Sequence, residues 1–273
     1  MSGAIWLASY PKSGNTWVRL ALYSLAHDGA DVALADISDF GTLASSLSMI
    51  DWNLEIDSGL MTDDELESIR PAFHAALFDD PVPRLCKVHD AWTRTLQGRP
   101  LFDPAITHAS IYVVRDPRDV AVSYAPYFGT TLDRAVDIVI GKRMRPRPRG
   151  QQVRQKLLGW GKHVTSWVDE SGLAPLVIRY EDMLAQPEIE IARIARSLGW
   201  ATTTASIAGA VAATRFDRLA EMERRTGFCE LSDKAERFFR VGAAGQWRGA
   251  LTAEQAARIE RAHGAVMARF GYC

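Results

Sequence analysis

Ile5-Trp6-Leu7-Ala8-Ser9-Tyr10-Pro11-Lys12-Ser13-Gly14-Asn15-Thr16-Trp17-Val18-Arg19-Leu20 changes character halfway along. The run from Ile5 to Ala8 is continuously apolar, as a strand buried on both faces requires. Tyr10-Pro11 interrupts it, because proline lacks the ladder donor and restricts the residue before it. Beyond Gly14 the apolar spacing becomes helical, with Trp17, Leu20, Ala21, Ser24 and Leu25 on one face. A strand, a tight polar turn and a helix start aim free backbone N–H groups and the positive helix end at one spot. Lys12, Ser13, Asn15 and Thr16 add an ammonium and three small hydrogen-bonding side chains there. The physical reading is a phosphate cradle; the alternative is an ordinary βα turn that carries a surface lysine. The nucleoside-triphosphate loop G-x-x-x-x-G-K-[ST] is not matched, because the lysine precedes Gly14 and Ser9 stands where its first glycine belongs.

The rest of the chain is expected to build a sheet around that turn. At 273 residues it is long enough for a large core, and a single α/β domain over 1–273 is expected. A hydrophobic share of 47% and a formal net charge of −1 describe a globular chain with no global field for nucleic acid or a membrane surface. An anion site must therefore be local. Cys86, Cys229 and Cys273 are few, odd in number and show no metal or disulfide spacing, which suits a reduced, cytoplasmic compartment. The apolar start lacks a basic region and a cleavage site, so neither a signal peptide nor a membrane span is expected.

Further strands are expected at Arg84 to His89, Ile111 to Val114 and Leu176 to Arg179. Apolar strands separated by helical patterns indicate a central, mainly parallel sheet flanked by helices in three layers. Ligands of such sheets lie beyond the carboxyl ends of the strands, where Lys12, His89, Arg115 and Tyr180 all fall. Thr62 to Glu65 has capping-box spacing and opens a helix expected to break or kink near Pro71. Trp160, Val164, Trp167 and Val168 form a core stripe. Glu188 to Leu198 reads as a helix stopped by Gly199. Thr252 and Gln255 cap a last helix whose apolar face includes His263. Asp28 to Asp57 reads as loops with short helices, a wall for an acceptor pocket. The run 142–150 is basic and proline-interrupted, expected as a solvated loop or, alternatively, a lid that attracts an anionic substrate.

Tyr10 to Trp17 resembles the 5′-phosphosulfate loop of sulfotransferases that use 3′-phosphoadenosine 5′-phosphosulfate (PAPS), usually Y-P-K-[SA]-G-[TN]-[TN]-W. A second stretch, Arg115-Asp116-Pro117-Arg118-Asp119-Val120-Ala121-Val122-Ser123, follows a strand, with Asp116 as a helix cap and Pro117 in the first turn. An arginine fork and a hydroxyl facing one spot suit a phosphate monoester. The stretch looks like the family's 3′-phosphate motif, in which Arg115 and Ser123 would hold that phosphate while Arg118 and Asp119 tie the turn together. Phe238 to Trp247 resembles the family's R-K-G-x-x-G-[DQ]-W segment, with Arg240 and Gly242 matching and Val241 in place of the lysine. By the same resemblance Trp17, Tyr180, Thr214, Phe216 and Phe238 surround the adenine, and Lys87-Val88-His89 matches K-[ST]-H. That resemblance implies His89 as the base that deprotonates the acceptor and Lys87 as support for the transferring group. An imidazole, with an ordinary pKa of about 6.5, suits that duty. After it, Asp90-Ala91-Trp92 departs from the usual L-P, which points to a different acceptor side.

The resemblance implies the sulfotransferase fold, PAPS as donor, PAP as product, no metal and a small-molecule acceptor hydroxyl or amine. Trp52, Trp92, Tyr127, Phe128 and Phe228 are candidate aromatic walls for that acceptor. The length and N-terminal wording look closest to bacterial small-molecule sulfotransferases. The oligomeric state stays open, with a homodimer as one option. The competing readings are a nucleotide-dependent kinase, for which Arg115, Ser123 and Arg240 have no evident duty, and a catalytically silent nucleotide-binding protein, for which Lys87 and His89 have none.

Overall fold

Continuous apolar runs of β-rich sequence end up at the centre of a parallel sheet, because only there are both faces covered. A computed structural model describes residues 3–38, 40–79, 81–142 and 152–273. Its strands are β1 (Ala4–Ser9), β2 (Thr42–Leu43), β3 (Arg84–Val88), β4 (Thr107–Val114) and β5 (Leu176–Arg179). They pair in the order β2-β3-β1-β4-β5, and every pairing is parallel. The expected three-layer α/β architecture is present. The basic run, apart from Lys142, lies outside the described residues.

Alternation along the strands divides the core in two. Trp6, Ala8, Cys86, Val88, Tyr112 and Val114 face one cluster, and Ile5, Leu7, Leu85, Ile111 and Val113 face the other. On the first face pack α2 (Leu47–Leu54), α3 (Asp63–Leu77), α4 (Pro117–Tyr127), α5 (Leu132–Val139), α6 (Trp160–Thr165) and, late in the chain, α12 (Ala253–Arg269). On the second pack α1 (Asn15–Ala26), α7 (Tyr180–Ala185), α8 (Pro187–Ser197) and α9 (Thr204–Ala213). The short α11 (Trp247–Ala250) follows α10 (Phe216–Thr226), whose Leu219 joins a smaller cluster with Leu20 and Phe239. Each buried Leu, Ile or Val contributes about 1.5–3 kcal/mol, so two such clusters leave the strand ends free to carry polar groups.

Local signals were sound at most helix starts. Thr62 and Thr252 each close a capping box, with Glu65 and Gln255. Asp116 caps α4 by accepting from the Arg118 N–H, with Pro117 in the first turn. The expected break at Pro71 is corrected: α3 runs through Pro71 to Leu77. Arg70, Phe73, His74 and Leu77 are buried from that helix, and their packing outweighs one missing backbone donor. Thr42–Leu43 pairs with Cys86 and Lys87 as a strand where only loop and helix were expected, since two residues carry no periodicity.

Candidate active site

The turn after β1 has the geometry its sequence requires. Lys12 holds φ +70°, a left-handed conformation rare outside glycine. Gly14 holds φ +102°, and a Cβ there would lie 2.7 Å from Tyr180 Cδ2. Gly14 is the N-cap of α1 and offers no side-chain cap, so the N–H groups of the first turn point outward unspent. The Asn15 amide is turned inward, donating to Leu7 O at 3.0 Å and Ser9 Oγ at 3.2 Å, and so ties the turn to β1. Ser13 Oγ and Arg115 Nε are buried without a hydrogen-bond partner among the described residues. Buried polar atoms of this kind call for a partner, and an anion would supply acceptors for them.

A cavity of about 360 Å³ opens beside this turn. Every residue expected at the site lines it except Ser13, which is buried behind the turn. Lys12, Gly14, Asn15, Thr16 and Trp17 bring the loop and α1; Lys87 and His89 bring the end of β3. Arg115 and Ser123 come from the end of β4 and from α4, and Tyr180 from the end of β5. Thr214 and Phe216 come from the α9–α10 junction, and Phe238, Arg240 and Gly242 from the segment before α11. Gly242 is at φ +66°, and a Cβ on it would fall 2.1 Å from the Phe216 ring, so the close approach its glycine allows is to that aromatic wall.

Long-range bonds draw the C-terminal segment in. Asp119 accepts from the Gly245 N–H at 2.6 Å and the Trp247 N–H at 2.9 Å. Arg115 donates to Lys12 O at 3.1 Å and Ala243 O at 3.0 Å, with its guanidinium 4.2 Å from the Tyr180 ring centroid. Arg118 pairs with Asp116 and Glu260 and donates to Tyr272 O. Asp119 thus does more than tie its own turn: it clasps the segment that carries Arg240 and Gly242. Val241, where the resemblance expects lysine, also lines the cavity and is 44% exposed.

His89 is aimed by its neighbours. A backbone carbonyl only accepts, so the contact of Nδ1 with Ser9 O at 2.9 Å puts the ring hydrogen of neutral His89 on Nδ1. Nε2 is then the basic nitrogen. Behind it, burial pulls the His163 imidazole down to about 4, which keeps that ring neutral. Neutral His163 donates from Nε2 to His89 O (3.1 Å), which leaves Nδ1 to accept from Tyr112 Oη (2.8 Å). Asp90, Ala91 and Trp92 do not line the cavity. Asp90 forms a buried pair with Arg70 at 2.8 Å, Ala91 donates to Lys156 O, and Trp92 belongs to the core.

Lys12 and Lys87 differ in their company. The Lys12 ammonium lies 3.6 Å from the Tyr127 ring centroid and 4.2 Å from that of Phe238. Burial first, then the charges of Lys87 and Arg115, pull its pKa down to about 7. Lys87, also lowered by burial, is held by Glu230 at 2.8 Å. Glu230 is the residue that sequence reasoning missed: no motif surrounds it, and its partners Thr16, Arg19 and Lys87 are far away in the chain. Of the proposed aromatic walls, Tyr127 and Phe128 line the cavity. Trp52 is 83% exposed, and Phe228 packs on Phe238 and Phe239. Leu43, Gln152 and Gln155 line it as well. Among the described residues no helix is long and apolar enough to cross a membrane, and no cluster of three or more His, Cys, Asp or Glu could hold a metal.

A family model described as the sulfotransferase domain matches residues 2–271. Dog sulfotransferase 1A1 is 25% identical over 272 residues, which cover 93% of this chain and 80% of the relative. Cytosolic sulfotransferase 13 of Arabidopsis thaliana is 26% identical over 267 residues, covering 94% and 74%. Among solved structures, a mouse sulfotransferase complexed with PAP superposes with a TM-score of 0.63 at 20% identity, covering 97% of this chain and 84% of that one. Retinol dehydratase with androsterone and inactive cofactor PAP gives 0.64 at 19%, covering 97% and 80%. At these identities the structural likeness is one of fold.

Proposed function

The chain belongs to the sulfotransferase domain family, and we propose that it moves a sulfuryl group from PAPS to a hydroxyl or amine of a small-molecule acceptor. One observation carries this reading: two separate cationic sets meet in a single cavity at the strand ends. Lys12, Lys87, Thr16 and the first turn of α1 make the set for the 5′-phosphosulfate. Arg115, Ser123 and Arg240 make the set for a 3′-phosphate, and the aromatic side chains of Trp17, Tyr180 and Phe216 line the same cavity. A nucleoside triphosphate has no use for the second set.

In the proposed reaction His89 Nε2 takes the acceptor proton while the acceptor oxygen or nitrogen bonds to sulfur. The bond between sulfur and the bridging oxygen of the donor breaks, and the electron pair stays on that oxygen. Lys12 and the α1 N–H groups neutralise the charge that grows there, the kind of preorganised stabilisation that usually makes the largest contribution. Lys87 supports the sulfuryl oxygens. PAP is expected to raise the melting temperature, while ATP with magnesium does not; labelled sulfate should move from PAPS to a permissive phenol or amine. Protection by ATP alone would sink the assignment.

The lowered Lys12 pKa gives this reading a pH signature. As pH rises through about 7 the Lys12 amine of the free protein loses its proton, since burial, and after it the charges of Lys87 and Arg115, disfavour the ammonium more than Glu230 and Glu223 favour it. A bound phosphate favours the ammonium, so PAP binding takes up a proton there and PAP affinity falls as pH rises through that range. Calorimetric titration near pH 8, in two buffers of different ionisation enthalpy, should read net proton uptake. Zero uptake would remove Lys12 from the phosphate site.

A further inference from the structure

Glu230 is the lone acid among the described residues that line a cavity otherwise charged by lysine and arginine. Its carboxylate bridges two parts of the cradle. Oε2 accepts from Thr16 Oγ1 at 2.9 Å, in the first turn of α1, where the backbone N–H groups are unspent. Oε1 accepts from Lys87 Nζ at 2.8 Å and from Arg19 Nη1 at 2.6 Å. These contacts, with burial working against them, hold the Glu230 carboxyl far below its ordinary range. An anion thus already rests on the groups that a donor phosphosulfate would need.

Glu230 belongs to the segment between α10 and α11, and it is tied to the cavity wall through Tyr127 Oη, which donates to Glu230 O at 2.6 Å. Its departure would leave the buried Arg19 guanidinium on backbone acceptors, with Nη2 donating to Ile37 O at 2.7 Å, and the Lys87 ammonium without its carboxylate unless a new anion replaced it, so displacement is costly. The geometry points to Glu230 as an internal competitor of the donor: it holds Thr16 and Lys87 until the donor binds and sets donor affinity by having to be displaced. An anion that grips only the cradle must beat an ion pair already made. A donor anchored at Arg115 and Arg240 as well arrives with further contacts to offset that exchange, so Glu230 favours ligands with two separated phosphates over simple anions.

This inference rests on the reading of the cradle as a 5′-phosphosulfate site, and its test separates the two. PAP is titrated into the wild-type protein and into Glu230→Gln by calorimetry. Gln keeps the shape and one accepting oxygen but no charge, and PAP should bind the variant about tenfold more tightly, the scale of one charge-assisted hydrogen bond. Glu230→Asp keeps the charge but is one methylene shorter and cannot span both Thr16 and Lys87. It should tighten PAP to a smaller degree, and it serves as the reading if the Gln variant does not fold. PAP affinity that is unchanged or weaker in the folded variants would make Glu230 a strut for Arg19 and overturn the competitor role alone. Absence of PAP binding to wild type and variants alike would overturn the cradle reading, and the inference with it.

Discussion

Replacing His89 by Ala lowers kcat for sulfuryl transfer by about 10²–10⁴-fold, the range that a positioned general base contributes. PAP affinity should stay as in the wild type, because the proposed role puts the imidazole on the acceptor side of the reacting group. The size of the loss follows from how firmly the ring is aimed. Ser9 O fixes the hydrogen on Nδ1, and His163, anchored by Tyr112, fixes the backbone from which the ring projects. Single-turnover transfer of labelled sulfate from bound PAPS measures the chemical step directly. A rate within a few-fold of wild type would show that the acceptor loses its proton to water or to another group, and His89 would lose its role.

Lys12→Met is the second large effect, with kcat falling by about 10²–10³-fold, as expected when one preorganised group at a developing oxyanion is lost. Methionine is chosen because it keeps the packing on the Tyr127 and Phe238 rings while removing the charge. The melting temperature of the variant without ligand should not fall, since burial and two neighbouring cations already disfavour the ammonium there. The proton uptake on PAP binding should vanish with it. A variant that loses stability and activity in proportion would instead make Lys12 a structural residue, and one that keeps full activity would move the leaving-group duty to Lys87.

Much of the site was legible because its signals are local. The change from apolar run to helical spacing around Gly14 is decided within one turn by backbone sterics, so β1, the loop and α1 lie where the pattern says. Asp116-Pro117, Thr62 to Glu65 and Thr252 to Gln255 are equally short-range, since a cap spends its own neighbours' N–H groups. Pro71 shows the limit of such reasoning. Proline disfavours a helix interior, but buried Phe73, His74 and Leu77 on the same helix contribute more than the missing bond costs. At Thr42–Leu43 the signal was absent altogether: a two-residue edge strand exists because β3 offers it partners.

By itself the sequence determined the strand–turn–helix cradle, the arginine and hydroxyl after β4, the histidine at the end of β3 and the family they resemble. Each of these is carried by residues close together in the chain. Only the tertiary structure decided which acid reaches the first turn of α1 and what clasps the segment that carries Arg240. Glu230 reaches Lys87 across 143 positions, and Asp119 reaches Trp247 across 128. A carboxylate is an acceptor wherever it stands. Whether it closes a phosphate site, clasps a distant segment or faces water depends on which donors the folded sheet brings within 3 Å of it, a scale set by hydrogen-bond geometry and not by chain order.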